Sequence, residues 1–321
     1  MTRTSTIAVV AGALGALLLV AAMRQSVLGV LVGAMLSPLP LAMVAFGLGA
    51  AYVPVAVVSG AITVAVMTGS FAFATMYLAM DAAPVAVLSR LGLAATLAGK
   101  KPVDGEAVGR TVSWLVAAAV LAVVVGLAGI AAGPDGIEAT LRAQIDKALA
   151  ALPAPQASGP GADFAAAQNE MMRTMAGFLP GLVALGWCWR AILSAGLAQL
   201  MLERMKLAVW STPAYREFVA PRWIAALFAV AAAAGAVLEN DTGFIAGNAA
   251  AVLGLPLALQ GLAVVHCTAA RLKYRLWWLA AFYVVALVKA GPAAFLLAGL
   301  GMVDGILDIR ARYLRPRSGG E

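Results

Sequence analysis

The chain has 321 residues, of which 63% are hydrophobic and 12% charged, and its mean hydropathy is +0.94. Soluble domains carry about 45 to 50% apolar and about 25% charged residues, so this composition excludes an ordinary water-soluble globule and reads as an all-α, polytopic membrane protein. The net charge of +7 does not make it a nucleic-acid binder, because its bases fall in short clusters between apolar runs, with no basic face interleaved with aromatics.

From Ile7 to Ala98 the only formal charges are Arg24, Asp81 and Arg90. Met1 to Gln25 has the basic start and small-residue end of a signal peptide, but apolar character resumes at Val27 and Ile7 to Met23 is long enough to span, so it is read as the first transmembrane helix. Within it Gly12 and Ala16 form a small-xxx-small pair suited to close helix contact. The second candidate, Val27 to Gly49, contains "SPLP", where Pro38 and Pro40 should break the helix. Broken backbone at membrane depth survives only when packed in protein or lining a cavity, and the alternative is a loop at the membrane edge. Tyr52 to Met80, Ala83 to Ala98 and Val112 to Ala132 complete an N-terminal half, residues 1–132.

Residues 133–176 form a polar linker with five acids against three bases. Inside it Ile137, Leu141, Ile145, Leu149 and Leu152 recur at helical spacing, which predicts an amphipathic helix over 137–152 that lies on the membrane surface, caps the bundle or acts as a spacer. The C-terminal half, residues 177–321, offers Phe178 to Leu202, Trp223 to Leu238, Gly243 to Val265, Leu276 to Val288 and Ala293 to Val303. The last two read as a hairpin broken at Gly291-Pro292 or as one kinked helix. Gly243 and Gly247 repeat the small-xxx-small spacing.

Loop charge orients the spans. Lys100, Lys101 and Arg110, then Arg204, Lys206, Arg216 and Arg222, then Arg271, Lys273 and Arg275 mark cytoplasmic loops, whereas the linker and the turn holding Glu239 and Asp241 mark external ones. Arg310, Arg312, Arg315 and Arg317 draw the C-terminus inside and suit anionic lipid head groups. The alternation predicts ten spans, or eight if Val27 to Met80 contains re-entrant pieces, with both termini cytoplasmic.

Catalytic signals are missing. There is no P-loop and no HExxH, Cys188 and Cys267 lack metal or redox spacing, and no serine has a local base motif, so no enzyme, cofactor or metal is expected. The lone histidine, His266, reads as a structural hydrogen-bonding residue at the end of its span. The unusual groups are Arg90, about 12 Å from the end of its span, and Arg190, near the middle of its own. A cation at such depth costs about 3 kcal/mol or more, so each needs a partner. Either each caps backbone carbonyls or pairs with Asp81, Asp304 or Asp308, or they receive an anionic ligand. On the last span Asp304, Asp308 and Arg312 share one helical face, and Arg312 is placed to neutralise Asp308. Asp304 is then expected to draw its cation from another helix, with Arg90 or Arg271 as candidates.

The stretches "SPLPLAMVAFGLGAAYVP", "APVAVLSRLGL", "DGEAVGRTVSW", "GNAAAVLGLPLALQGLAVVH" and "GLGMVDGILDIRAR" resemble, in order and spacing, the DUF2232 or YybS-like family of bacterial membrane proteins. The resemblance covers nearly the whole chain apart from the linker. It implies an inner-membrane location and a distant similarity to the S components of energy-coupling-factor transporters, which bind a small molecule in a helical bundle and work with a separate coupling subunit and ATPases. It supplies a fold and no substrate.

The function expected is therefore a non-enzymatic, small-solute-binding or transport subunit embedded in lipid. Arg90 and Arg190 would receive a small anionic solute, and His266, Asp304, Asp308 and Arg312 would form a polar cluster. The competing expectation is a membrane scaffold in an envelope or division complex, in which the intramembrane charges only fix helix register.

Overall fold

A computed structural model describes residues 2–22, 33–92, 103–130, 133, 135–150, 170–171 and 175–314. They form helices, turns and no β-strand among the described residues. Among the described residues, seven helical stretches are long and apolar enough to cross a membrane. These are α1 (Arg3–Ala22), α3 (Val53–Thr68, entered through Ala50–Tyr52), α4 (Phe71–Arg90), α5 (Gly105–Ala128), α7 (Leu179–Arg204, entered through Ala176–Phe178), α9 (Asp241–Ala269) and α11 (Ala290–Leu307). Shorter apolar helices fill the gaps: α2 (Leu39–Gly47), α8 (Arg222–Val237) and α10 (Arg275–Val288). The amphipathic α6 covers Gly136–Ala150.

The ends of these helices follow from local chemistry. Gly69, at φ 65°, adopts the left-handed conformation that closes α3, and Ser70 is extended before α4 begins. The apolar run Tyr52 to Met80 is therefore two helices, and α4 starts about ten residues earlier than its hydropathy suggests. Asp104 caps α5 by accepting from the Ala107 N–H at 2.7 Å, and Asn240 caps α9 by accepting from the Gly243 N–H at 3.1 Å. The "SPLP" break is a turn at Ser37-Pro38 between a short helix, Ala34–Leu36, and α2. Ser37 is fully buried, and its carbonyl oxygen lies 2.7 Å from where a Cβ on Gly15 of α1 would stand.

Glycine sets the closest helix contacts. A Cβ on Gly12 would meet the Ala56 carbonyl oxygen at 1.9 Å, so α1 and α3 touch backbone to backbone. On α9 and α11, a Cβ at Gly261 would lie 2.0 Å from Leu297 O and one at Gly301 would lie 1.9 Å from Leu257 O. The second small-residue pair packs through Gly247, whose backbone receives Gly235 of α8. The outward faces are apolar, as at Val66, Phe71 and Leu287, because their solvent is lipid.

One core runs through both halves of the chain. α7 packs on α2 and α5, and α9 packs on α5, α8 and α11. The segment Leu276 to Val303 is two helices meeting at Lys289, and α10 buries none of its residues. Ala298 lies beside Gly254 and Asp304 beside Gln260, so α11 runs parallel to α9 and α10 must run back between them, as a hairpin requires. α6 begins as a cap on the other end: the Ile137 N–H donates to Asp241 Oδ1 at 2.7 Å and its side chain enters the core, while residues 151–152 lie outside the described residues.

Candidate functional site

Among the described residues, two charged clusters lie within the bundle. The first is built by α4 and α7. Over Leu78–Ala82 α4 widens into a π-helical turn, a local insertion that frees carbonyls from their usual partners. α7 uses two of them: Trp187 Nε1 donates to Ala79 O at 3.1 Å, and Arg190 Nη2 donates to Met80 O. Arg190 Nη1 lies 2.7 Å from Asp81 Oδ1 and donates to Ser37 Oγ at 3.3 Å. Ser194, one turn on, donates to Met35 O at 3.0 Å. Asp81 and Ser37 are fully buried and Arg190 is 9% exposed, so the pair sits in low dielectric, where its attraction is strong and its separation expensive. Tyr77, one turn before Asp81, is also fully buried; its hydroxyl fills the space left by Gly60 and has no hydrogen-bond partner among the described residues.

This geometry pairs Arg190 with one of the acids that the sequence offered it. Asp81 is its acid, and Asp81 falls well inside α4 rather than at a span end because Gly69 has already turned the chain. Arg90 is not brought to Arg190. It is exposed at the end of α4, about 14 Å along the helix from Asp81 at 1.5 Å per residue.

The second cluster closes the opposite part of the core. Asp304, 2% exposed, accepts at Oδ2 from Gln260 Nε2 at 2.9 Å and from Arg310 Nε at 2.9 Å. Arg310 Nη2 lies 2.8 Å from the same oxygen, and the Arg310 N–H donates to Oδ1 at 3.1 Å. Arg310 Nη1 reaches across to Arg216 O at 2.7 Å, and Gln260 Oε1 accepts from the Ala220 N–H at 2.9 Å. Asp304 thus ties α11 to α9 and to the connection between α7 and α8.

Its cation is neither Arg90 nor Arg271. The reason is that α11 stops at Leu307: Asp308 takes φ 51°, and the chain folds back so that Arg310 meets Asp304. The continuous face assumed for Asp304, Asp308 and Arg312 does not exist, and no ion pair joins Asp308 to Arg312 among the described residues; only the Arg312 N–H donates to Asp308 O, at 3.0 Å. His266 holds a tertiary contact, with Nε2 2.8 Å from the Tyr283 hydroxyl and its ring edge-on to Tyr215 at 5.4 Å. Tyr215 in turn donates to Leu259 O at 2.8 Å. Burial first, and then the neighbouring Tyr283, push the Tyr215 hydroxyl above its usual range against the pull of Arg310, which keeps it a neutral donor.

Beside this cluster opens a cleft of about 670 Å³ lined by Arg216, Glu217, Cys267, Arg271, Asp308 and the Asp304–Arg310 pair. At the other end of the bundle a second cleft of about 670 Å³ is acidic, with Asp135, Glu239, Asp241 and a Glu138–Arg142 pair at 2.7 Å. No group of three metal-ligating side chains occurs among the described residues. Sequence reasoning passed over Gln260 and Arg310. Gln260 carried a visible signal, a lone amide in an apolar span; Arg310 carried none, because its role depends on where α11 ends.

A family model described as "Predicted membrane protein (DUF2232)" matches residues 13–305. No curated protein and no solved structure matches the chain.

Proposed function

Since the chain belongs to the DUF2232 family of predicted membrane proteins, we propose that it is a multi-pass protein of the bacterial inner membrane that binds a small anionic solute at its basic end, without catalysis. The long spans, with α2, α8 and α10 as shorter crossings, are consistent with ten passes and cytoplasmic termini. Arg204, Arg222, Arg271 and Arg275 all stand at one end of their helices, and Glu239 and Asp241 at the other, as the positive-inside rule asks of a cytoplasmic and an external face.

The observation that carries the reading is the pair of exposed guanidinium groups in the Arg216–Arg271 cleft, whose lining balances three bases against three acids. Arg216 and Arg271 are exposed on its wall, and the buried Asp304–Arg310 pair beneath them fixes its floor. Guanidinium groups in a recess suit a carboxylate or phosphate, which they hold bidentately. The anion site is therefore assigned to Arg216 and Arg271, and the Asp81-paired Arg190 becomes a structural latch. Action as a transport subunit would require a coupling subunit and ATPases as partners.

The test is a mass-spectrometric inventory of small molecules retained by the purified protein and by its Arg271→Gln variant. An anion held by the parent and lost from the variant supports binding; identical inventories sink it. The scaffold reading has an observation of its own: Arg190 and Asp81 neutralise each other inside the bundle. Recovery with envelope or division proteins, and no retained anion, would favour it.

A further inference from the structure

We propose that the ligand of the Arg216–Arg271 cleft is an amphiphile, a lipid with a phosphate head, whose head lies between Arg216 and Arg271 and whose chain runs along α10. The inference rests on the solute-binding reading above and narrows it to a substrate class. A second recess of about 350 Å³ adjoins the cleft, shares Arg216 and Ala270 with it, and is lined by Tyr215, His266, Arg275, Leu276 and Leu279. The polar recess therefore continues into one walled by leucine and aromatic side chains. A small hydrophilic solute would use only the first; a phosphate on a hydrocarbon chain fits both.

The charges that line the first recess balance, and Arg275 of the second leaves one base in excess over the two together, which an anionic head offsets. Asp304 is consumed by Arg310, which leaves Arg216, Arg271 and Arg275 against Glu217 and Asp308 around the two recesses. The depth is right as well. Trp277 is 78% exposed and Trp278 60%, directly after Lys273, Tyr274 and Arg275, and tryptophan beside basic residues is the signature of the head-group layer. None of the 14 residues of α10 is buried, and beyond that level residues 279–288 give about 15 Å of apolar helix at 1.5 Å per residue, along which a hydrocarbon chain can lie.

The test is native mass spectrometry of the full-length protein in detergent, titrated separately with long-chain phosphatidic acid, long-chain phosphatidylcholine and water-soluble glycerol phosphate. Phosphatidic acid should bind best. Arg216→Gln or Arg271→Gln should weaken it about tenfold or more, the value of one or two charge-assisted hydrogen bonds. Lys273→Gln, on a side chain that lines neither recess, should change it little. Leu279→Asn should weaken the lipid and leave glycerol phosphate unchanged. Thermal melting of each variant verifies that it is folded. If glycerol phosphate binds as tightly as the lipid, the amphiphile is wrong and the solute reading stands. Should neither anion bind, the phosphate-headed ligand is wrong, and the inventory of retained molecules decides the solute reading separately; a loss with Lys273→Gln equal to that with Arg271→Gln would reduce the site to general surface charge and overturn the proposal.

Discussion

Arg190 and Asp81 lie 2.7 Å apart on two helices that only one residue pair of this charge type joins at mid-bundle among the described residues. Removing one partner leaves the other charged and buried, at a cost of about 3 to 5 kcal/mol. Asp81→Asn and Arg190→Gln should each lower the melting temperature of the detergent-solubilised protein strongly. Asp81→Asn combined with Arg190→Leu should be less damaging than the sum of the two single changes. Strictly additive losses would show that the two charges are solvated separately.

Asp304 and Asp308 stand one turn apart in sequence and play unequal parts. Asp304→Asn and Arg310→Gln should destabilise to a similar degree, each by about 3 kcal/mol or more, because each leaves the other member of the pair without its counter-charge. Asp308 holds φ 51°, a conformation glycine adopts without strain. Asp308→Gly should therefore be neutral or stabilising, and Asp308→Val should cost about 1 kcal/mol or more. Thermal melts of the four variants separate these outcomes, and a loss with Asp308→Gly as large as with Asp304→Asn would contradict the assignment.

The α9–α11 contact depends on absent side chains. Gly261→Ala and Gly301→Ala would each drive a methyl group into a backbone carbonyl and should cost about 1 to 3 kcal/mol, whereas Gly299→Ala points into open space and should not destabilise. If all three alanine variants melt alike, the two backbones are not in contact.

The proposed orientation has a direct readout. Reporter fusions at Tyr215 and at Lys273 should give a cytoplasmic signal and a fusion at Glu239 an external one. Signals from Tyr215 and Lys273 on opposite sides would remove one of the crossings formed by α8 and α9.

Hydropathy disclosed the membrane class, the apolar stretches and the amphipathic α6, since each depends on composition or period averaged over many residues. It did not place Asp81. The stop at Gly69 is one small residue inside a long apolar run, and only its φ of 65° gives it meaning. The partner of Asp304 was hidden for the same kind of reason: the end of α11 is made by an aspartate in a left-handed conformation, with no glycine or proline at the boundary. The break at Pro38 and Pro40 was legible, while its use, to bring the Ser37 hydroxyl to Arg190, required the path of α7. Charges could be seen in the sequence as anomalies; their pairing was a matter of where helices stop.

The Asp81–Arg190 contact also bears on how this chain can be divided. The polar linker looks like a seam between modules, yet the acid lies before it and the base after it. Neither portion, made alone, would contain a neutral interior. On the ribosome the acid emerges first and waits for its base through roughly 5 to 20 seconds of synthesis at ordinary elongation rates. A carboxyl group can spend that interval in lipid as the uncharged acid, an option closed to guanidinium, so the order in which the two are encoded is the easier one for an assembling bundle.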